Sequence, residues 1–111
     1  MTFTYDLANA DATKVLISKV RLEIGDTVSN SGVRPDTSNF TDEEIEYWLS
    51  EESNDVRLTA ARVCDALASA WSIMADEAVG PRRTAWGDVA NQWSVRASGF
   101  RASSGAVVKV L

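Results

Sequence analysis

At 111 residues, 45% of them hydrophobic and 24% charged, the chain is sized and composed for one globular domain with a modest core. It has no histidine and one cysteine, Cys64, which excludes Ser-His triads, an internal disulfide and a cysteine-based zinc cluster. The net charge of −5 is uneven: residues 1–55 carry twelve acids against four bases, residues 56–111 four acids against seven bases. That polarity fits either two solvated surfaces of different composition or head-to-tail self-association, in which one copy's acidic face meets the next copy's basic face.

No apolar run approaches the roughly 18 residues that span a bilayer. MTFTYDLANADATK lacks the basic-then-apolar order of a signal peptide, so an intracellular setting, or an assembly built inside a cell, is expected.

The first predicted helix covers 12–24, capped by Asp11 or Asn9, with Leu16, Ile17, Val20 and Ile24 on one apolar face and Gly25 ending it. GDTVSNSGVRPDTSN follows over 25–39, without periodicity, and reads as a long surface loop that reaches Phe40. FTDEEIEYWL then opens a second helix over 42–52. Thr41 and Glu44 form a capping box, Phe40 and Ile45 a hydrophobic staple, and Asp42, Glu43 and Glu44 set negative charge at the positive end of the helix dipole. Ile45, Trp48 and Leu49 make its apolar face.

A third, longest helix is expected over 54–79, capped by Ser53 or Asn54. Its stripe is Val56, Ala60, Val63, Leu67, Trp71, Met74 and Ala78, and Cys64 beside it reads as a small buried hydrophobe. Gly80-Pro81 ends it, and Thr84 can cap a fourth helix to about residue 102 (85–102) bearing Trp86, Val89, Trp93, Ala97 and Phe100, with Gly87 and Gly99 weakening it. SSGAVVKVL, 103–111, is valine-rich and expected as an extended tail, disordered alone or docking on a neighbour. The fold class is thus all-α: a small bundle of about four helices, with a helical domain over 1–102 and a tail over 103–111.

No catalytic constellation, EF-hand spacing or phosphate-binding glycine loop stands out. Acidic pairs such as Glu43/Glu44 and Glu51/Glu52 read as solvated charge. Arg82-Arg83 reads as a surface turn, an inter-subunit ion pair or a weak phosphate contact. The four tryptophans lie on apolar stripes and serve the core by default, with one or two available as interface anchors.

KVRLEIGDT, the Gly/Pro/Ser loop, FTDEEIEYWL, the Ala-rich VRLTAARVCDALASAW, VGP and a last helix, in that order, resemble the head–tail connector (head-completion adaptor) family of tailed bacteriophages over residues 5–102. The resemblance implies a non-enzymatic all-α virion protein of the neck, assembled in the host cytoplasm, with no cofactor, metal or membrane. It implies a homo-oligomeric ring, dodecameric in expectation, below the portal protein. That ring extends the DNA channel, passes DNA without sequence-specific binding and docks the neck or tail-completion protein. An acidic channel wall avoids the counterion-release binding that a basic one would invite.

Expected subunit contacts pair Glu43, Glu46, Glu51 and Glu52 with Arg57, Arg62, Arg82 and Arg83, setting orientation more than affinity. Val33, Arg34, Val107, Val108 and Val110 are candidates for docking a partner. The alternatives are a small helical DNA-binding or regulatory protein, for which Arg57 and Arg62 are a sparse basic face, and an enzyme working through carboxylates.

Overall fold

The computed structural model describes residues 2–109, with side chains through Ser103. Four helices follow in order: α1 Ala12–Ile24, α2 Asp42–Glu51, α3 Val56–Glu77 and α4 Pro81–Lys109. The all-α bundle expected from the apolar periodicity is the observed fold.

The helix ends follow local chemistry. Asp11 accepts from the amides of Thr13 and Lys14 at the start of α1, and Gly25, at φ 81°, closes it with its N–H on the Arg21 carbonyl. α2 carries the full reciprocal capping box of Thr41 and Glu44. The expected cap of α3 is corrected. Ser53 and Asn54 take left-handed conformations (φ 54° and 63°) to turn the chain, and Asp55 caps by accepting from Leu58 N–H.

α4 also differs from expectation. It starts at Pro81 rather than Ala85, because proline's fixed φ and missing N–H suit the first helical position, with Gly80 (φ 66°) as the hinge before it. It then runs through Lys109, so Val107 and Val108 are helical rather than extended. Each added residue of an established helix gains a backbone hydrogen bond, which overrides the valines' β preference. Val110 lies outside the described residues.

α3 and α4 form an antiparallel hairpin, and α1 and α2 lie against α3; α2 and α4 are not neighbours. The molecule is a plate, 47 × 38 × 19 Å, whose thin dimension is two helix layers. The core between them joins Ile17, Val20 and Ile24 of α1, Phe40, Ile45 and Leu49 of the second motif, Ala60, Val63, Cys64 and Leu67 of α3, and Trp93 and Ala97 of α4. Burial lifts the Cys64 thiol pKa to about 11, so it stays a protonated, inert hydrophobe. Trp48, Trp71 and Trp86 are half-buried; Trp48 meets Phe40 edge-on at 5.8 Å, and Trp71 Nε1 donates to the Val33 carbonyl at 3.2 Å.

Candidate assembly interface

The strongest electrostatic feature is buried. Arg21 lies on the core-facing side of α1 with its side chain wholly covered. Its guanidinium donates to the Thr4 carbonyl, to Asp26 Oδ2, to the Phe40 carbonyl and to Asp42 Oδ1, all at 2.8 Å, and sits 4.1 Å from the centroid of Phe3. Both acids are fully buried and satisfied by further donors. Asp26 also accepts from Asn39 Nδ2 and Phe40 N–H, and Asp42 from Thr4 N–H, Thr4 Oγ1 and Lys14 Nζ. Burial pushes the Asp42 carboxyl up, but bonds from Thr4, Arg21 and Lys14 outweigh it and hold the pKa at about 2. Asp42 therefore does more than meet the α2 dipole: it ties the N-terminal segment, α1 and α2 together.

The 25–39 loop is built rather than loose. Gly32 N–H donates to the Thr37 carbonyl at 2.7 Å, and a Cβ on Gly32 would sit 2.0 Å from the Ser38 carbonyl oxygen. Asn39 closes the loop by donating to Asp26 and Val28 and accepting from Asn30 N–H. Of the docking candidates here, Val33 packs against the core and Arg34 is engaged internally. Its guanidinium lies 4.0 Å from the Phe40 centroid and donates to the Asn39 carbonyl and, at 2.5 Å, to Glu44 Oε2. A cavity of about 280 Å³ separates this loop from Thr2 and Phe3.

The eight charged residues expected at subunit contacts divide into two sets. Arg62 reaches Glu52 at 3.6 Å and Glu51 at 3.9 Å within the same chain, and Arg57 donates to Ser103 Oγ at 2.9 Å. These three exposed or half-exposed ion partners and Arg57 brace the bundle from outside, beside the Asp65–Arg101 pair. The other four stay outside ion pairs among the described residues. Glu43 and Glu46 stand exposed on α2, and Glu43 adds to the field that raises the Lys14 pKa, whose main cause is the Asp42 hydrogen bond. Arg82 and Arg83 stand exposed at the start of α4; Arg83 donates to the Asp76 carbonyl at 3.2 Å. Among the described residues, none of these four side chains forms an ion pair.

Two shallow apolar grooves accompany these four charges. One, of about 370 Å³, lies on α2 between Glu43, Glu44, Tyr47 and Trp48; the other, of about 320 Å³, lies at the α3–α4 turn among Met74, Glu77, Ala78, Val79, Arg82 and Trp86. Tyr47 is 60% exposed and Val79 83%. Among the described residues no helix is long and apolar enough to cross a membrane, and no three acids or cysteines converge as metal ligands.

Sequence reasoning missed the Arg21 cluster. The signal was present: Ile17, Val20, Arg21 and Ile24 follow the i, i+3, i+4, i+7 rule, so Arg21 occupies a core-facing position. Comparison of the chain with protein-family models, curated proteins and solved structures finds no match.

Proposed function

We propose that the chain is a structural subunit of a tailed-phage neck, a head–tail connector. Its copies associate head to tail into a ring below the portal, extend the DNA channel and offer a docking surface to the next neck or tail-completion protein. The observation that carries this reading is the joining of its two most distinctive stretches. Arg21 and Asp26 of KVRLEIGDT meet Asp42 of FTDEEIEYWL in one buried ion cluster. Each stretch alone is only a good helix end. Bound through a shared guanidinium, they form one architectural unit, so their order and spacing carry more weight than either motif.

The division of surface charge agrees with a subunit role. Glu43, Glu46, Arg82 and Arg83, outside any ion pair among the described residues, are available to a neighbour, and heterologous contacts of this kind close into rings when the rotation permits. An acidic protein around DNA also lets the backbone pass without counterion-driven binding.

The test combines static light scattering and negative-stain imaging of the full chain, alone and with portal particles. Rings, or decoration of the portal, are expected. A chain that stays monomeric and never binds portal overturns the reading, as does a salt-sensitive gel shift of duplex DNA near physiological ionic strength.

A further inference from the structure

α2 already holds one arginine. Arg34 Cζ lies over the Phe40 ring, 4.0 Å from its centroid, and the guanidinium donates to Glu44, so a carboxylate beside an aromatic ring forms its site. The outer side of the same helix offers that chemistry again. Glu43, Glu46 and Tyr47 are spaced three and four residues apart and therefore share a face, next to the groove floored by Tyr47 and Trp48. No arginine of this chain occupies it among the described residues.

We propose that this face takes Arg82 and Arg83 from the α3–α4 turn of a second copy, with Val79 entering the groove beside Tyr47. The inference rests on the ring reading and names the contact that closes it. Three observations select the second copy as occupant. The two arginines are exposed and outside any ion pair among the described residues, as are the two acids. α2 and α4 are not neighbours within the subunit, so the pairing has to be made between copies. Val79, the most exposed large apolar side chain among the described residues, lies three positions before Arg82 and lines the same groove, as Tyr47 lines its groove beside Glu43.

The turn is not uniformly basic. Asp76 and Glu77 precede it at the end of α3, and Glu77 lines the groove there. Turned toward α2 they would meet like charge, so one docking orientation is favoured over its reverse. The two patches differ, which makes the contact heterologous and able to propagate around a ring.

Sedimentation velocity of the full chain over a concentration series in low salt tests this. The set comprises the wild type, Glu43→Lys/Glu46→Lys, Arg82→Glu/Arg83→Glu and the fourfold swap, with circular dichroism confirming that each is folded. Each double reversal is expected to weaken association at least about tenfold, and the swap to restore it, because only the swap returns opposite charges to each other. Wild-type rings that neither reversal disturbs overturn this contact and leave the ring reading standing. Reversals that weaken association without rescue by the swap overturn the pairing of these residues. A wild type that remains monomeric at every concentration, and on portal particles, overturns both.

Discussion

Residues 2–55 and the α3–α4 hairpin are held by different forces. In the first region the N-terminal segment, α1, the loop and the start of α2 are joined by directional bonds centred on Arg21, with Asp26, Asn39 and Asp42 each satisfying several donors or acceptors. In the hairpin, small side chains such as Ala60, Ala75, Ala90 and Ala97 bring two helices close, and the ion pairs lie at the surface. The polar network fixes one geometry for an irregular loop that has few apolar residues of its own. The hairpin, regular along its length, needs only shape. Stability in the first region should therefore depend on pH and on single polar atoms, and in the second on volume and helix propensity.

The largest break in this contrast comes at Arg21. Arg21→Met leaves Asp26 buried without a cation and Asp42 with Lys14 alone, and is expected to cost about 3–5 kcal/mol in urea unfolding, whereas Arg101→Ala, which removes an exposed partner of Asp65, costs about 1 kcal/mol or less. Equal losses would erase the distinction.

Acid comes next. The folded pKa of Asp42, about 2, lies below the ordinary 3.8, so its contribution is present above about pH 4 and is lost as pH falls through 2. That contribution is about 2 kcal/mol, and acid titration of Tm should show it. The lowered pKa of Glu44, against which burial works but which bonds from Thr41 and Arg34 overcome, acts in the same direction. A chain with the hairpin intact and residues 2–55 loosened is the expected acid state.

The smallest effect sharpens the other side. Gly99 is exposed inside α4 and a Cβ there meets open space, so Gly99→Ala is expected to raise stability by about 1 kcal/mol in thermal unfolding. A loss would mean that the position serves something other than helix formation.

Much of the hairpin and of both early helices was legible because periodicity and capping are local. The 12–24 helix, the Thr41–Glu44 box and the α3 stripe from Val56 to Met74 each declare themselves within a few residues, although α3 ends at Glu77 with Ala78 extended rather than running to 79. What escaped was non-local or decided between close competitors. Asp42 satisfies a first-turn rule that hides its bond to Arg21, 21 residues earlier. Asp26 looks like any loop acid until Asn39 and Phe40 are brought to it. Asp55 won the α3 cap from Ser53 and Asn54 because those two were needed for the turn. Among the interface candidates, sequence could not separate Glu51, Glu52 and Arg62, which pair in cis, from Glu43, Glu46, Arg82 and Arg83.

The Arg21 cluster also has a place in time. Its bonds to Thr4, Phe40 and Asp42 span 17, 19 and 21 residues, and Thr4–Asp42 spans 38, each a separate loop to close. α3 and α4 instead meet across a turn of three and can zip outward from it, so that even Asp65–Arg101 closes on helices already joined. Contacts that close long loops come after those that close short ones, because the chain entropy must be lost first. The hairpin is thus the early structure and the guanidinium the late latch. Interactions absent from the transition state govern how fast a protein comes apart, so Arg21→Met should accelerate the unfolding limb of a chevron and leave the folding limb nearly unmoved. A chain built this way owes its lifetime, more than its rate of formation, to one arginine.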